Sequence, residues 1–395
     1  MGRPFRQIAA IASMNIRSIP QRLWMSLSTV VAIALVVAVL LAFLAMGNGF
    51  RQAQSSAGAE DIAILLRDGA QTEINSAVSR DQRDIVEEAP GIAREAGVPL
   101  VSAELYVIVD GISRSTGLRA NLPLRGLPLV GVALRHNVRI AEGRMFRPGT
   151  NEIVAGRSVT REFSGFDIGK TLRLGTSVWT VVGIFEDGGT VRESELWGDV
   201  GVVQSVFKRE NFFQTIRARL AGPKALAPLK AYVDADPRLK LAVESEAEFF
   251  AAQAKQSSDL IQKLGWPLAI IMAIGALAGA LNTMYSSVAS RGTEIATLRA
   301  IGFGRIPTFV GTLAEALTLA VIGGIIGIIA ATALFQGYTA STLSANFTQV
   351  VFKFQVTPAL CVSALVLAVV VGTIGGVFPA FRAARLPIVG MLGDQ

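Results

Sequence analysis

Four runs without charge set the frame for this chain. Leu23–Phe50, Leu264–Ser290 and Phe354–Phe381 contain no Asp, Glu, Lys or Arg, and Thr308–Phe335 contains only Glu315. About 20 apolar residues cross a bilayer, so each run is long enough to span one. With 51% hydrophobic and 17% charged residues, the sequence is too apolar for an ordinary soluble protein. The expected fold class is a membrane protein: four transmembrane α-helices, with an extracytoplasmic α+β domain inserted between helices 1 and 2.

Charge placement gives the orientation. Arg3, Arg6, Arg17 and Arg22 precede the first run without any acid. Arg291, Arg299 and Arg305 face only Glu294 between the second and third runs, and Arg382 and Arg385 face only Asp394 after the fourth. Residues 51–263 hold 27 basic and 27 acidic residues, and Lys353 offsets Glu315. The whole net charge of +7 therefore falls on one side, which the positive-inside rule makes the cytoplasm. The basic balance reports membrane orientation, with membrane lipids as partners, and not nucleic-acid binding. Both termini are expected to be cytoplasmic and 51–263 extracytoplasmic. The first run is too long for a signal-peptide core and no A-x-A site follows it. Cys361, the single cysteine, lies in the fourth run, so no intrachain disulfide supports the external domain.

The implied segments are a cytoplasmic interfacial helix (1–22), span 1 (23–50), the α+β domain (51–245), a stalk with span 2 (246–290), a cytoplasmic helix (291–307) and span 3 (308–335). A short extracytoplasmic loop (336–353), span 4 (354–381) and a cytoplasmic tail (382–395) complete the chain. Phe5, Ile8, Ala12, Ile16 and Ile19 recur at helical spacing among arginines, and Pro20 ends the run; the alternative is a disordered basic tail. Trp24 and Trp266 stand where interfacial anchors belong. In the α+β domain, Thr171 to Phe185 reads as a hairpin about a Gly-containing turn. Leu105–Val109, Glu152–Ala155, Val200–Val206 and Thr215–Leu220 read as strands, and Asp81–Glu88 and Lys224–Val233 as helices. The mixture implies one or two α+β lobes. Ser245-Glu246-Ala247-Glu248 is a capping-box pattern. A helix starting there either runs on into span 2 as a stalk or ends at Gly265 as a surface helix. Gly275/Gly279, Gly323/Gly327 and Gly372/Gly376 form G-x-x-x-G pairs in spans 2, 3 and 4. They are close-packing points or simply the glycine common in membrane helices.

Catalytic motifs are missing. Ser164–Thr171 (S-G-F-D-I-G-K-T) imitates a phosphate loop, but Ser164 replaces the first glycine and the segment precedes a strand, whereas such a loop opens a helix. His136 is the lone histidine, which speaks against a zinc site and a serine-histidine triad. The chain reads as a non-catalytic subunit.

The segment Ser290 to Pro307, S-R-G-T-E-I-A-T-L-R-A-I-G-F-G-R-I-P, is a charged stretch between spans 2 and 3. Ile295, Leu298 and Ile301 recur on one helical face, and Gly302 stands where a C-terminal glycine belongs. Together with L-A-E-A-L-T-L-A-V-I-G-G-I-I-G after it, P-A-F-R-A-A-R-L-P near the C-terminus and N-I-R-S-I-P-Q-R-L near the N-terminus, it resembles the coupling-helix region of MacB/FtsX-type ABC transporter permeases. The hairpin's G-K-x-L-R-L-G and V-V-G-I-F are similar to the core of MacB-type external domains. The resemblance covers both ends and the four membrane runs and is weak over the middle.

What it implies is a permease subunit binding no cofactor itself, with ATP and Mg handled by a cytoplasmic ABC ATPase dimer. A second permease copy or paralogue and a periplasmic adaptor complete the expected assembly. Glu294, Ile295, Leu298, Arg299, Ala300 and Gly302 match the family's coupling pattern. Leu298 would be the apolar anchor in an ATPase groove, while Glu294 and Arg299 set orientation; otherwise these residues are a solvated loop face. Glu315 either pairs with Arg299 or Arg305 to lock the coupling helix to span 3, or snorkels to the interface. The implied activity is mechanotransmission, exporting or extruding a lipid, lipoprotein or drug-like molecule. The alternative is a signalling permease that carries nothing and activates an external partner such as a cell-wall hydrolase.

Overall fold

The computed structural model describes residues 2–344 and 346–386, with side chains from residue 5 onward. The end of the expected cytoplasmic tail, including Asp394, lies outside the described residues. The chain forms two compact units. One gathers residues 1–48, 260–338 and 354–395, and the other gathers 49–259 and 339–353.

Among the described residues, the first unit contains four helices long and apolar enough to cross a membrane. The N-terminal helix Gly2–Ser18 leads through a 3-10 turn at Ile19–Arg22, where Pro20 sits, into the first span helix Leu23–Ser55. Helix Glu246–Ser290 begins at the capping box: the Glu248 amide donates to Ser245 Oγ at 3.1 Å and the Ser245 amide to Glu248 Oε2 at 3.2 Å. Gly265 does not end it; its missing side chain accommodates Phe43 of the first span helix. The third and fourth span helices are Arg305–Phe335 and Pro358–Arg385.

Glycines set the spacing of these helices unevenly. A Cβ on Gly323 would lie 2.8 Å from the Val30 carbonyl oxygen, and one on Gly327 2.5 Å from that of Ala34, so the first and third span helices meet backbone to backbone. Gly372 is pressed against Ala320, and a Cβ on Gly376 would lie 2.6 Å from that of Ala316. Gly275 and Gly279 depart from the expectation: both face open space, and the neighbouring contact is made instead by Gly375 against Ala280 and Leu277.

The second unit is built on one mixed 11-stranded sheet. Its central path runs Thr171–Leu174, Ser177–Glu186, Glu152–Gly156, Leu196–Asp199, Arg119–Leu127, Val101–Ser113, Thr215–Arg219, Ile62–Arg67 and Leu241–Ser245. The expected hairpin is present, with Leu174 opposite Ser177. Two of the apolar cores that lie on this sheet occupy different stretches of it. Ala63, Leu65, Val101, Ala103, Ile216 and Ala218 join the first; Leu105, Val107, Leu122, Leu124 and Leu196 join the second. The helices expected near Asp81–Glu88 and Lys224–Val233 are Arg80–Glu87 and Leu226–Ala235.

Two further expectations need correction. Val200–Val206 is a helix and not a strand. Its β-branched run reads as a strand, but the Asp199 carboxylate caps it by accepting from the Val202 amide at 3.0 Å, and Val203 packs over Gly126. Residues 336–353, expected as a short loop, contain a hairpin of Thr339–Leu343 and Gln349–Lys353 that belongs to the sheet unit. Val351 enters its second core and its amide donates to Ser194 Oγ at 2.9 Å; Thr348 Oγ1 meets Tyr106 Oη at 3.0 Å.

Candidate functional site: the coupling segment and a buried charge cluster

A helix of nine residues, Gly292–Ala300, follows Arg291 at the end of the second span helix. Gly302 has φ +107°, a region that only glycine enters freely. Its amide donates to the Arg299 carbonyl at 3.2 Å and the Phe303 amide to that of Leu298 at 3.1 Å, which together close a Schellman motif. Gly304 then caps the third span helix. The chain thus reverses between two membrane helices with its termini tied.

Which face of the short helix is buried differs from the expected stripe. Gly292, Ile295 and Ala296 are buried, Leu298 is half-buried and Ile301 is 72% exposed. Ile295 packs with Val288 and Ala383. Leu298 lines a small hollow of about 10 Å³ with Ile11, Met14, Asn15, Arg291, Ile295, Thr308 and Thr312, so it faces its own chain. Thr293, Glu294, Thr297, Ala300 and Ile301 are exposed along the short helix and its end, as are Gly302, Gly304 and Arg305 in the turn after it, and Ile306 is 71% exposed.

The centre of this region is Arg291, a buried residue that the sequence reading left out of the site. Its Nη1 donates to Glu315 Oε2 at 3.2 Å, its Nη2 to Asn15 Oδ1 at 2.6 Å and its Nε to Glu294 Oε2 at 3.1 Å. Ser287 Oγ donates to Glu315 Oε1 at 3.3 Å and accepts from Arg22 Nη1 at 2.9 Å. Glu315 is therefore tied to the segment between spans 2 and 3, but its partner is Arg291 and neither Arg299 nor Arg305. The side chain of Arg299 is engaged elsewhere: Nη1 donates to the Leu386 carbonyl at 2.5 Å. An ionisable residue inside an apolar helix needs a charged partner in reach. Arg291 meets that need because it follows the last residue of span 2, on the side facing span 3.

A second cluster lies on the sheet, and the sequence reading missed it. Side chains alternate between the two faces of a strand. The face opposite the cores carries Ser102, Glu104 and Tyr106, Arg125, Arg217 and Trp197, and all are buried. Arg125 reaches Glu73 at 2.9 Å, Glu104 at 3.0 Å and Glu195 at 2.7 Å. Arg217 reaches Glu104 at 2.6 Å, Glu246 at 2.9 Å and Glu73 at 3.0 Å; Arg135 joins Glu104 at 2.8 Å and Arg192 joins Glu246 at 2.8 Å. Tyr106 lies under the Arg125 guanidinium at 5.0 Å, and through it the cluster meets Thr348 of the hairpin. Burial pushes the Glu73 carboxyl up, but the Arg125 and Arg217 charges outweigh it and hold it at about 2. Glu104 is held low in the same way, burial opposing Arg135, Arg217 and Arg125. The available signal was the alternation V-S-A-E-L-Y-V at 101–107, which reads equally well as a strand with one wet face.

Ser164 lies in a strand and Thr171 opens another, so the imitation phosphate loop leads into no helix. His136 Nε2 lies 2.8 Å from Asp61 Oδ2, and among the described residues no cluster of His, Cys, Asp and Glu forms a metal site.

Comparison with known proteins adds the family. The model of the MacB-like periplasmic core domain matches residues 26–236, and that of the FtsX-like permease C-terminal region matches 267–388. A macrolide export ATP-binding/permease protein MacB of Nitrosomonas europaea is 23% identical over 93% of this chain and 56% of its own length. A pyoverdine export ATP-binding/permease protein PvdT of Pseudomonas syringae pv. tomato is 32% identical over 38% of this chain and 22% of its own. The chain thus spans about half the length, or less, of these curated relatives. The solved periplasmic region of MacB from Actinobacillus actinomycetemcomitans aligns with 52% of this chain and 94% of its own, at 11% identity and a TM-score of 0.38. Four apolar helices with a periplasmic-type domain between the first two fit an inner-membrane protein with a periplasmic segment.

Proposed function

The chain belongs to the MacB/FtsX-type family of ABC transporter permeases, and from that premise we propose that it converts ATP hydrolysis by a partner unit into a shape change of its periplasmic domain. The partner is an ABC ATPase dimer, held in separate chains or in segments outside this sequence, and it supplies the ATP and Mg chemistry. Two copies of the permease, or this chain and a paralogue, complete the assembly. The cargo is taken to be a lipid, lipoprotein or drug-like molecule, in keeping with the macrolide and pyoverdine export for which the relatives are named, passed on to a periplasmic adaptor.

The observation that carries this reading is Arg291, which joins the coupling segment to Glu315 of the third span helix and Asn15 of the N-terminal helix. A push on such a segment moves several membrane helices at once, because hydrogen-bonded buried charges resist separation. In this reading the ATPase meets the outward residues Glu294, Thr297, Ala300 and Ile301. Ile301 replaces Leu298 as the apolar anchor, because Leu298 is turned half inward. Arg299 then acts by fixing the segment to Leu386.

Co-purification with the cognate ATPase and ATPase activity in lipid test the assignment. Ile301→Asp should abolish stable capture or cut stimulated activity at least tenfold, while Leu298→Ala retains capture. Full capture and activity in Ile301→Asp together with Glu294→Ala would remove this surface as the docking site.

A further inference from the structure

We propose that the N-terminal helix is a sensor of anionic lipid that sets the position of the coupling helix; this rests on the coupling role proposed above. The two helices lie side by side. Asn15 Oδ1 accepts from Arg291 at the start of the coupling segment, and Gln7 Nε2 donates at 3.4 Å to the carbonyl of Gly302 at its end. The hollow between them is lined from one side by Ile11, Met14 and Asn15 and from the other by Ile295 and Leu298. Ile11 is seated on the third span helix at Gly311, where any side chain would collide with it. The N-terminal helix is thus fixed to the coupling segment at both ends and to span 3 in the middle.

Its other faces are largely exposed among the described residues. At 100° per residue, Phe5, Ala9, Ala12 and Ile16 form a strip beside the buried one, and Phe5 is 74% and Ile16 39% exposed. Arg6 and Arg17 lie next to that strip, three turns apart and nearly in line. Both are exposed, and neither has an acidic partner among the described residues. The sequence contains no Asp or Glu before Glu60, so no acid on this helix or on the first span helix neutralises them. An apolar strip flanked by unpaired arginines fits an interfacial surface of acyl chains and negative headgroups. A protein partner would have to match both and find the strip outside the bilayer. Each arginine near an anionic surface changes partitioning about fivefold, and the effect fades beyond a Debye length of about 8–10 Å.

The consequence is mechanical. Lipid that holds the strip holds Asn15 and Gln7, and with them the coupling segment that the ATPase must move. Neutral lipid leaves the strip less firmly seated and the coupling segment less restrained.

The test uses the full chain with its cognate ATPase in vesicles of phosphatidylcholine alone or with about one-third phosphatidylglycerol, a charge density at which surface attraction is strong. ATPase activity should differ severalfold between the two, and high salt should shrink the difference. Arg6→Gln/Arg17→Gln should abolish the difference while keeping the activity measured in phosphatidylcholine. Asn15→Ala should also abolish it, because the link is cut while the arginines remain. Equal activity of the wild type in both vesicles, or an unchanged lipid effect in the double arginine variant, overturns the proposal. Failure of the wild type to capture the ATPase in detergent, where no bilayer is present, would instead sink the coupling reading.

Discussion

At the scale of the residue, the two ion clusters show how far charge can be read from a sequence. Glu315 announces itself, since an acid in an uncharged run needs a reason. Its partner does not, because Arg299, Arg305 and Arg291 are all within a few turns, and only packing decides among them. Arg291 wins by standing at the end of span 2, while Arg299 is drawn to the Leu386 carbonyl. Arg291→Met should destabilise the chain by about 3–5 kcal/mol, because it leaves a buried carboxylate unpaired. Arg291→Met/Glu315→Leu should recover more than half of that loss. Arg299→Ala should cost about 1–2 kcal/mol, as loss of one bond to a carbonyl does. Denaturation midpoints in detergent for a double-mutant cycle would check this; a coupling energy for Glu315 larger with Arg299 than with Arg291 would refute the assignment.

At the scale of the element, length and apolar content made the four span helices legible, and the capping box at Ser245 fixed the start of the second. Faces were less legible. Three glycine pairs look alike in sequence, yet Gly323/Gly327 and Gly372/Gly376 lie at helix crossings while Gly275/Gly279 lie open. The pattern records that a helix permits close approach, and the partner helix determines where approach occurs. The helix Val200–Val206 and the hairpin after span 3 were illegible for a related reason, since tertiary contacts with Gly126, Ser194 and Tyr106 select them. Gly376→Leu should therefore force the third and fourth span helices apart at Ala316, costing about 1–3 kcal/mol or more and lowering the yield of monodisperse protein. Gly279→Leu should leave yield and thermal midpoint of the isolated chain near wild type. Equal damage from both substitutions would mean that the open face is occupied within the single chain.

At the scale of the whole molecule, the two units derive their stability from different sources, and acid should separate them. The helical unit rests on backbone hydrogen bonds and close apolar packing, with Glu315 as its buried acid among the described residues. The sheet unit buries Glu73, Glu104, Glu195 and Glu246 against four arginines. Glu73 sits at about 2 in the folded domain against an ordinary value of 4.5, and Glu104 and Glu246 are also lowered, burial opposing their arginines. A carboxyl whose folded value lies below its unfolded value stabilises the fold above the unfolded value, and that contribution is lost as pH falls toward the folded one. The sheet unit should thus weaken from about pH 4.5 toward pH 2. Glu244 is shifted the other way, by burial and by Glu248, so its penalty is relieved above that window, as pH falls toward 4.5. Trp197 reports the change locally, since its indole donates to Glu195 Oε2 at 2.7 Å and the Arg135 guanidinium lies 5.1 Å from its ring. Acid titration of the full chain in detergent should shift tryptophan emission to the red in this window while most helical circular dichroism persists. Simultaneous loss of both signals would mean that one cooperative structure spans the chain, and no change down to pH 2 would mean that the buried carboxylates contribute little to the fold.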